Sequence, residues 1–228
     1  DTSNGKLGVM TENSDNAFMP ATINPFYMVC YSYNGGETKI SADLSSYMNG
    51  YQDPRREIYG VTSTFDESEN ITNGFHGLRV GNEYPIKTGQ CYSNVKVEVS
   101  SPIMWMNAAE VMFLRAEAAL RGWDTEKTPK AYYEAGIRLS FEQLGAKNVE
   151  DYLVSTNTPE SYKDPLGTYS FSGTPSTISV QWKDGNFEES LERIITQKWI
   201  ANFPLGLEAW AEFRRTGYPK LMGTASNK

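Results

Sequence analysis

The chain has 228 residues, with 21 basic against 28 acidic side chains and a net charge of −7. That balance repels phosphate backbones, and no basic stretch offsets it locally, so a nucleic-acid partner is excluded. No apolar run approaches about 18 residues, which excludes a membrane-spanning helix, while the length suffices for one full core in one or at most two domains.

The opening Asp1-Thr2-Ser3-Asn4-Gly5 has neither a basic nor an apolar leader segment, so any export signal is expected upstream or removed. Residues 1–100 read as a loop-rich layer with short strands. Asn34-Gly35-Gly36, Asn49-Gly50 and Asn73-Gly74 mark tight turns, and Lys96-Val97-Glu98-Val99 alternates as a strand does. Eight of the fourteen tyrosines fall in this part.

From Ser101 the pattern becomes helical. Ser101-Pro102 reads as a cap followed by proline at a helix start, and Asn107 to Arg121 is rich in strong helix formers. Its Ala109, Met112, Ala116 and Ala119 form a narrow face of small side chains, closed by Gly122. Thr128-Pro129 starts a second helix, with Ala131, Ala135 and Leu139 on one face and a stop near Gly145. The short connection predicts antiparallel packing, a hairpin like a tetratricopeptide unit. Residues 155–185 form a polar loop insertion. Asn186 caps a third helix with Glu189 at the capping-box position, and Phe187, Leu191, Ile194, Ile195 and Trp199 line its apolar stripe. Asn202-Phe203-Pro204 stops it. The last helix, Leu207 to Arg215, ends at Gly217, with Leu207, Trp210 and Phe213 expected to face inward and to bury Trp210 beside Trp199. The predicted fold is mainly α: a helical hairpin and C-terminal helices over an irregular, loop-rich layer.

Chemistry-bearing residues are sparse. Cys30 and Cys91 fit one disulfide or two free thiols, and two cysteines are too few for a structural zinc site. His76 is the only histidine, which leaves little room for triad chemistry or a transition-metal site. Asp66-Glu67-Ser68-Glu69-Asn70 lacks the spacing of a calcium loop and reads as solvated. Glu110 and Glu117 lie two turns apart on one helix, about 10 Å by the helical rise, at the outer edge for an inverting glycosidase pair. The expectation is a binding protein, not an enzyme, with no cofactor and no metal.

Several runs carry a resemblance. They are Ser101-Pro102-Ile103-Met104-Trp105-Met106 leading into Ala109–Trp123, Tyr133-Glu134-Ala135-Gly136-Ile137 followed by Ser140-Phe141, Tyr51-Gln52-Asp53-Pro54-Arg55, and above all Ile194 to Leu221. In this order they are similar to the SusD/RagB family of outer-membrane nutrient-binding lipoproteins. The resemblance implies the C-terminal part of one SusD-like domain over residues 1–228 (layers 1–100 and 101–228), with an N-terminal helical-repeat half apparently absent. It also implies a lipid anchor outside this chain, on the outer face of the outer membrane. The expected partner is a SusC-like TonB-dependent transporter. The expected ligand is an oligosaccharide, with a peptide ligand or a pure protein-docking scaffold as alternatives.

Sugars stack on aromatic faces while amides, carboxylates and arginine bond their hydroxyls. The run Tyr31–Gly36 and the loop Tyr162–Trp182 have that composition, and the candidate ligand residues are Tyr33, Asn34, Tyr169 and Trp182. The bland alternative is that these aromatics seal loops onto the helices. Asp53 is expected to cap a turn and Arg55 to pair with a buried carboxylate, a role in the fold and not in binding.

Overall fold

A computed structural model describes residues 23–32, 38–63, 74–83, 91–123 and 125–226, with the backbone of 5–7. In chain order it contains β1 (Gly5–Leu7), α1 (Pro25–Tyr27) running into a π turn at Met28–Ser32, α2 (Ala42–Gly50), α3 (Arg56–Tyr59) and β2 (Ile103–Met106). There follow α4 (Ala108–Leu120), α5 (Pro129–Leu144), α6 (Val149–Leu153), α7 (Phe187–Ala201) and α8 (Gly206–Thr216). β1 and β2 pair antiparallel, Leu7 opposite Ile103. The mainly helical prediction holds.

The helix ends follow from their caps. The Asn107 side chain accepts from the Ala109 amide, Thr128 from Ala131 and Asn186 from Glu189, while Gly145 and Gly217 close α5 and α8 at φ 67° and 77°. Ser101-Pro102 does not start a helix. Ser101 accepts from the Glu98 amide inside a turn, and the strand β2 follows before Asn107 takes the cap. Lys96–Val99 is not a strand either. Only Asn94 and Val95 make isolated bridges, to Lys39 and Gly60. Val95 is buried and Val97 packs on the core, so the alternation is real but has no continuous partner to ladder with.

α4, α5 and α7 enclose the core. α4 buries Ala109, Met112, Phe113 and Ala116. The buried face of α5 is Tyr132, Tyr133, Gly136, Ile137, Ser140 and Phe141, so Ala131, Ala135 and Leu139 lie at its margin. The small residue that lets the helices meet is Gly136, where a Cβ would come within 2.8 Å of the Phe113 ring. α7 buries eleven of its fifteen residues, including Arg193, Gln197 and Lys198, though Phe187 at its start is exposed and Trp199 is half-buried. α2 stands within the region read as helix-poor. Ser41 caps it, and Leu44, Tyr47 and Met48 are buried in the same core.

α8 reverses its expected orientation. None of its residues is buried; Leu207 is 85 % and Trp210 58 % exposed. Its charged face is the one that docks. Lys198 of α7 sits 3.1 Å from both Glu110 and Glu212, and Arg215 reaches both oxygens of Glu117 at 2.6 Å. Burial alone would raise the Glu117 pKa, but hydrogen bonds from Arg215 and Arg121 outweigh it and hold the carboxyl below the usual range. Glu110 and Glu117 therefore fasten helices together. Trp199 packs against Tyr47, ring centroids 5.5 Å apart, whereas Trp210 stacks on Phe213 of its own helix.

Candidate functional site

The Asp53-Pro54-Arg55 turn lies at the centre of the fold. Asp53 accepts from the Arg55 amide at 2.9 Å and pairs with the guanidinium at 2.6 Å, both side chains being wholly buried. Arg55 also donates to Ser140, Tyr152 and Gln197, and lies 4.8 Å over the Phe141 ring. Burial would lower the Arg55 pKa, and the neighbouring Asp53 charge more than reverses this, so the guanidinium remains charged. Five polar groups from α5, α6, α7 and this turn thus satisfy one another, with nothing left to offer a ligand. The expected structural role is what the geometry provides, and the carboxylate that Arg55 needs is Asp53 itself.

Trp182 ends the irregular run that follows α6. Its ring tilts at 51° to Tyr133 with centroids 5.3 Å apart, and its indole N–H donates to Asp184 at 3.0 Å. One part of the indole is therefore anchored, and the remainder borders a cavity of about 360 Å³ between the end of α4 and the starts of α5 and α7. Thr128, Lys130, Asp184 and Ser190 line the same cavity. It combines an aromatic surface with hydroxyl, carboxylate and ammonium groups, which can bond a polyol from several sides. Thr128, Lys130 and Asp184 were not singled out from the sequence. Thr128 had already been used as a cap, and the two charges look like ordinary surface residues.

Tyr169 is placed elsewhere. It belongs to a turn organised by buried Asp164, which accepts from the amides of Thr168 and Tyr169 and from the Tyr92 hydroxyl at 2.7 Å. Arg79 donates to the carbonyls of Tyr169 and Ser170 and lies over Phe171, and the Tyr169 hydroxyl reaches the Glu83 carbonyl at 3.4 Å. Trp182 and Tyr169 share none of the cavities described for this structure. Tyr33 and Asn34 lie outside the described residues, as does Asp66–Asn70. Tyr162 is buried, its hydroxyl donating to the Gly77 carbonyl at 2.7 Å, so that aromatic does seal a loop. Cys30 and Cys91 lie buried in separate apolar clusters and form no disulfide with each other, and burial pushes both thiol pKa values up, to about 11 for Cys91. A mostly apolar cavity of about 490 Å³ lies among Phe26, Tyr59, Met104, Phe203 and Leu205.

Over residues 2–228 the chain matches the family described as SusD-like, Susd and RagB outer membrane lipoprotein. Among solved structures it is similar to a SusD homologue from Bacteroides ovatus, with 48 % identity and a TM-score of 0.83 over 90 % of this chain and 43 % of that one. A SusD homologue from Bacteroides thetaiotaomicron shares 45 % identity at a TM-score of 0.82, over 89 % of this chain and 42 % of that one. A chitin-binding SusD homologue from Flavobacterium johnsoniae shares 40 % identity at a TM-score of 0.79, over 90 % and 42 %. No match is found among curated proteins. This chain covers less than half the length of each of these three structures. Matched by the family over residues 2–228 and at 45–48 % identity by two solved SusD homologues over nine-tenths of its length, the chain belongs to the SusD/RagB family of outer-membrane lipoproteins.

Proposed function

We propose that this chain is part of a non-catalytic glycan-binding protein, held by a lipid anchor at the outer face of the outer membrane. It delivers oligosaccharides to a SusC-like TonB-dependent transporter. The observation that carries the reading is kinship at 40 % identity with a chitin-binding SusD homologue. The Trp182 cavity supports it, because an indole beside Asp184, Lys130 and Thr128 suits a neutral sugar. Tyr33, Asn34 and Tyr169 remain proposed contributors, Tyr169 from a turn apart from the Trp182 cavity.

Calorimetry of the full-length protein against chito-, xylo- and malto-oligosaccharides tests this. Binding in the micromolar to millimolar range is expected. Loss of one stacked ring, worth about 0.5–1.5 kcal/mol, should weaken it roughly 2- to 12-fold in Trp182→Ala. Because the ring also packs on Tyr133, the same variant should melt slightly earlier. If all glycans fail while a peptide mixture binds, the cargo is peptide; if neither binds, a protein-docking scaffold takes its place.

The second part of the reading concerns the outward apolar face. Leu207 and Trp210 of α8, Val111 and Leu114 of α4, and Trp105 of β2 are all exposed large apolar side chains. A further helical segment of the full-length protein covers them, as the greater length of the relatives allows. Hydroxyl-radical footprinting of the full-length protein should find Trp210 protected. Oxidation of Trp210 as fast as that of a free indole removes the cover.

A further inference from the structure

β2 has one partner strand and one open edge. Among the described residues its sheet holds only β1 and β2, and no isolated bridge falls on Ile103–Met106. The backbone N–H and C=O groups that point away from β1 thus have no backbone partner among the described residues. The strand reads Ile-Met-Trp-Met, and Trp105 and Met106 are 68 % and 64 % exposed. It carries neither the charge nor the proline that usually blunts such an edge in water.

A second, independent observation lies at the same strand. The mostly apolar cavity of about 490 Å³ is walled by Ile103 and Met104 together with Leu144, Phe203 and Leu205. Successive side chains leave a strand on opposite faces, so a cavity bordered by both residues is not confined to one face of the sheet. Its polar groups are already engaged. Asn24 accepts from the Phe26 amide at 2.8 Å and donates to the Ser101 carbonyl at 2.7 Å. Lys96 donates to the Glu57 carbonyl at 3.3 Å, and the Gln143 amide faces the Met104 sulfur at 3.7 Å. Such a cavity suits an apolar side chain and not a polyol.

We infer that an extended segment of the full-length protein, outside these 228 residues, adds a third strand to the open edge of β2 and seats an apolar side chain in this cavity. Free amides and carbonyls at strand spacing are satisfied by another strand, whose alternate side chains then fill pockets beside the edge. A helix cannot do this, because its interior backbone groups bond to one another. The strand is therefore a separate element from the helical cover proposed above. It belongs to the protein itself because the edge needs a standing cover. An uncharged apolar edge left open until a partner arrives would pair with other copies. The length is there in the relatives, since this chain spans only 42 % and 43 % of two of them. The inference rests on the reading of this chain as part of a longer protein. β2 leads directly into Asn107, the cap of α4, so the added strand ties that outside segment to the first helix of the core hairpin.

Amide hydrogen exchange of the full-length protein at single-residue resolution tests the pairing. With β1 as the sole neighbour, about half of the Ile103–Met106 amides would exchange as freely as in an unfolded chain. All four are expected to be slowed at least about a hundredfold, and to stay so when the protein is diluted. Leu144→Glu places a charge in the cavity, and it should speed these amides roughly tenfold while the buried amides of α7 stay protected. Free exchange at alternate amides of β2, protection lost on dilution because a second copy supplied it, or no effect of Leu144→Glu overturns the inference. Protection of Trp210 together with open β2 amides removes this strand and leaves the helical cover in place. Glycan binding is read apart from both, by calorimetry.

Discussion

Asp53→Asn should cost the protein about 3–5 kcal/mol and lower its melting temperature by roughly 6–20 °C for a domain of this size. The substitution keeps the shape of the side chain and removes only its charge, leaving Arg55 buried without its counter-ion. Arg55 cannot shed its proton, and its remaining partners Ser140, Tyr152 and Gln197 are neutral. Replacing both charges by apolar residues, Asp53→Leu with Arg55→Met, removes the uncompensated charge. That double variant should melt above Asp53→Asn even though Tyr152 and Gln197 lose a partner, because a buried pair returns little net stability over an apolar core. Urea titration with constant slope measures both differences. A loss below about 1 kcal/mol for Asp53→Asn, or a double variant weaker than the single one, would show that this ion pair is not what the turn depends on.

Gly77→Ala is the second substitution with a large expected effect, about 3 kcal/mol, and its cause is space. A Cβ at Gly77 would lie 2.1 Å from the Ser41 carbonyl oxygen and 2.6 Å from the Ala42 amide nitrogen, the backbone that opens α2. Backbone cannot rotate aside as a side chain can. The same segment is laced to α2 by Ala42 N–H to the Leu78 carbonyl at 2.9 Å and Gly77 N–H to Ser45 at 3.1 Å. Opening that seam disturbs the start of a helix whose Tyr47 and Met48 are in the core. Gly122→Ala is the control. Its φ is 75° with nothing within 4 Å of the added methyl, so only backbone strain of about 1 kcal/mol applies. Equal melting of the two variants would remove the close-packing explanation.

The helices with strong local signals were legible before the fold was known. Asn107, Thr128 and Asn186 cap where a polar oxygen followed by helix formers predicts a cap, and Gly145 and Gly217 stop helices in the left-handed conformation that glycine favours. α2 was not legible. Its sequence Ala42-Asp43-Leu44-Ser45-Ser46-Tyr47-Met48-Asn49-Gly50 holds serines, asparagine and glycine, weak helix formers that read as a turn. Burial of Leu44, Tyr47 and Met48 overrides that weak local preference, a contribution that exists only when the remaining layers are in place. The candidate site was legible only in part. Trp182 borders a cavity whose Thr128, Lys130 and Ser190 come from the starts of α5 and α7, which no local pattern joins to the loop that carries Trp182 and Asp184.

The chain by itself determined its family, its main helices and where they stop, because caps, glycine stops and apolar periodicity act over a few residues. Tertiary structure alone decided which face of α8 turns inward. Amphipathicity groups Leu207 and Trp210 against Glu212 and Arg215 but does not say which group meets the body of the protein. Lys198 on α7 and Glu117 on α4 present charges at the docking surface, and these select the charged face and leave the indole of Trp210 outside. The partners of Arg55 were decided in the same way. They lie 85, 97 and 142 residues along the chain, and a buried charge acquires its meaning only from groups that folding brings to it.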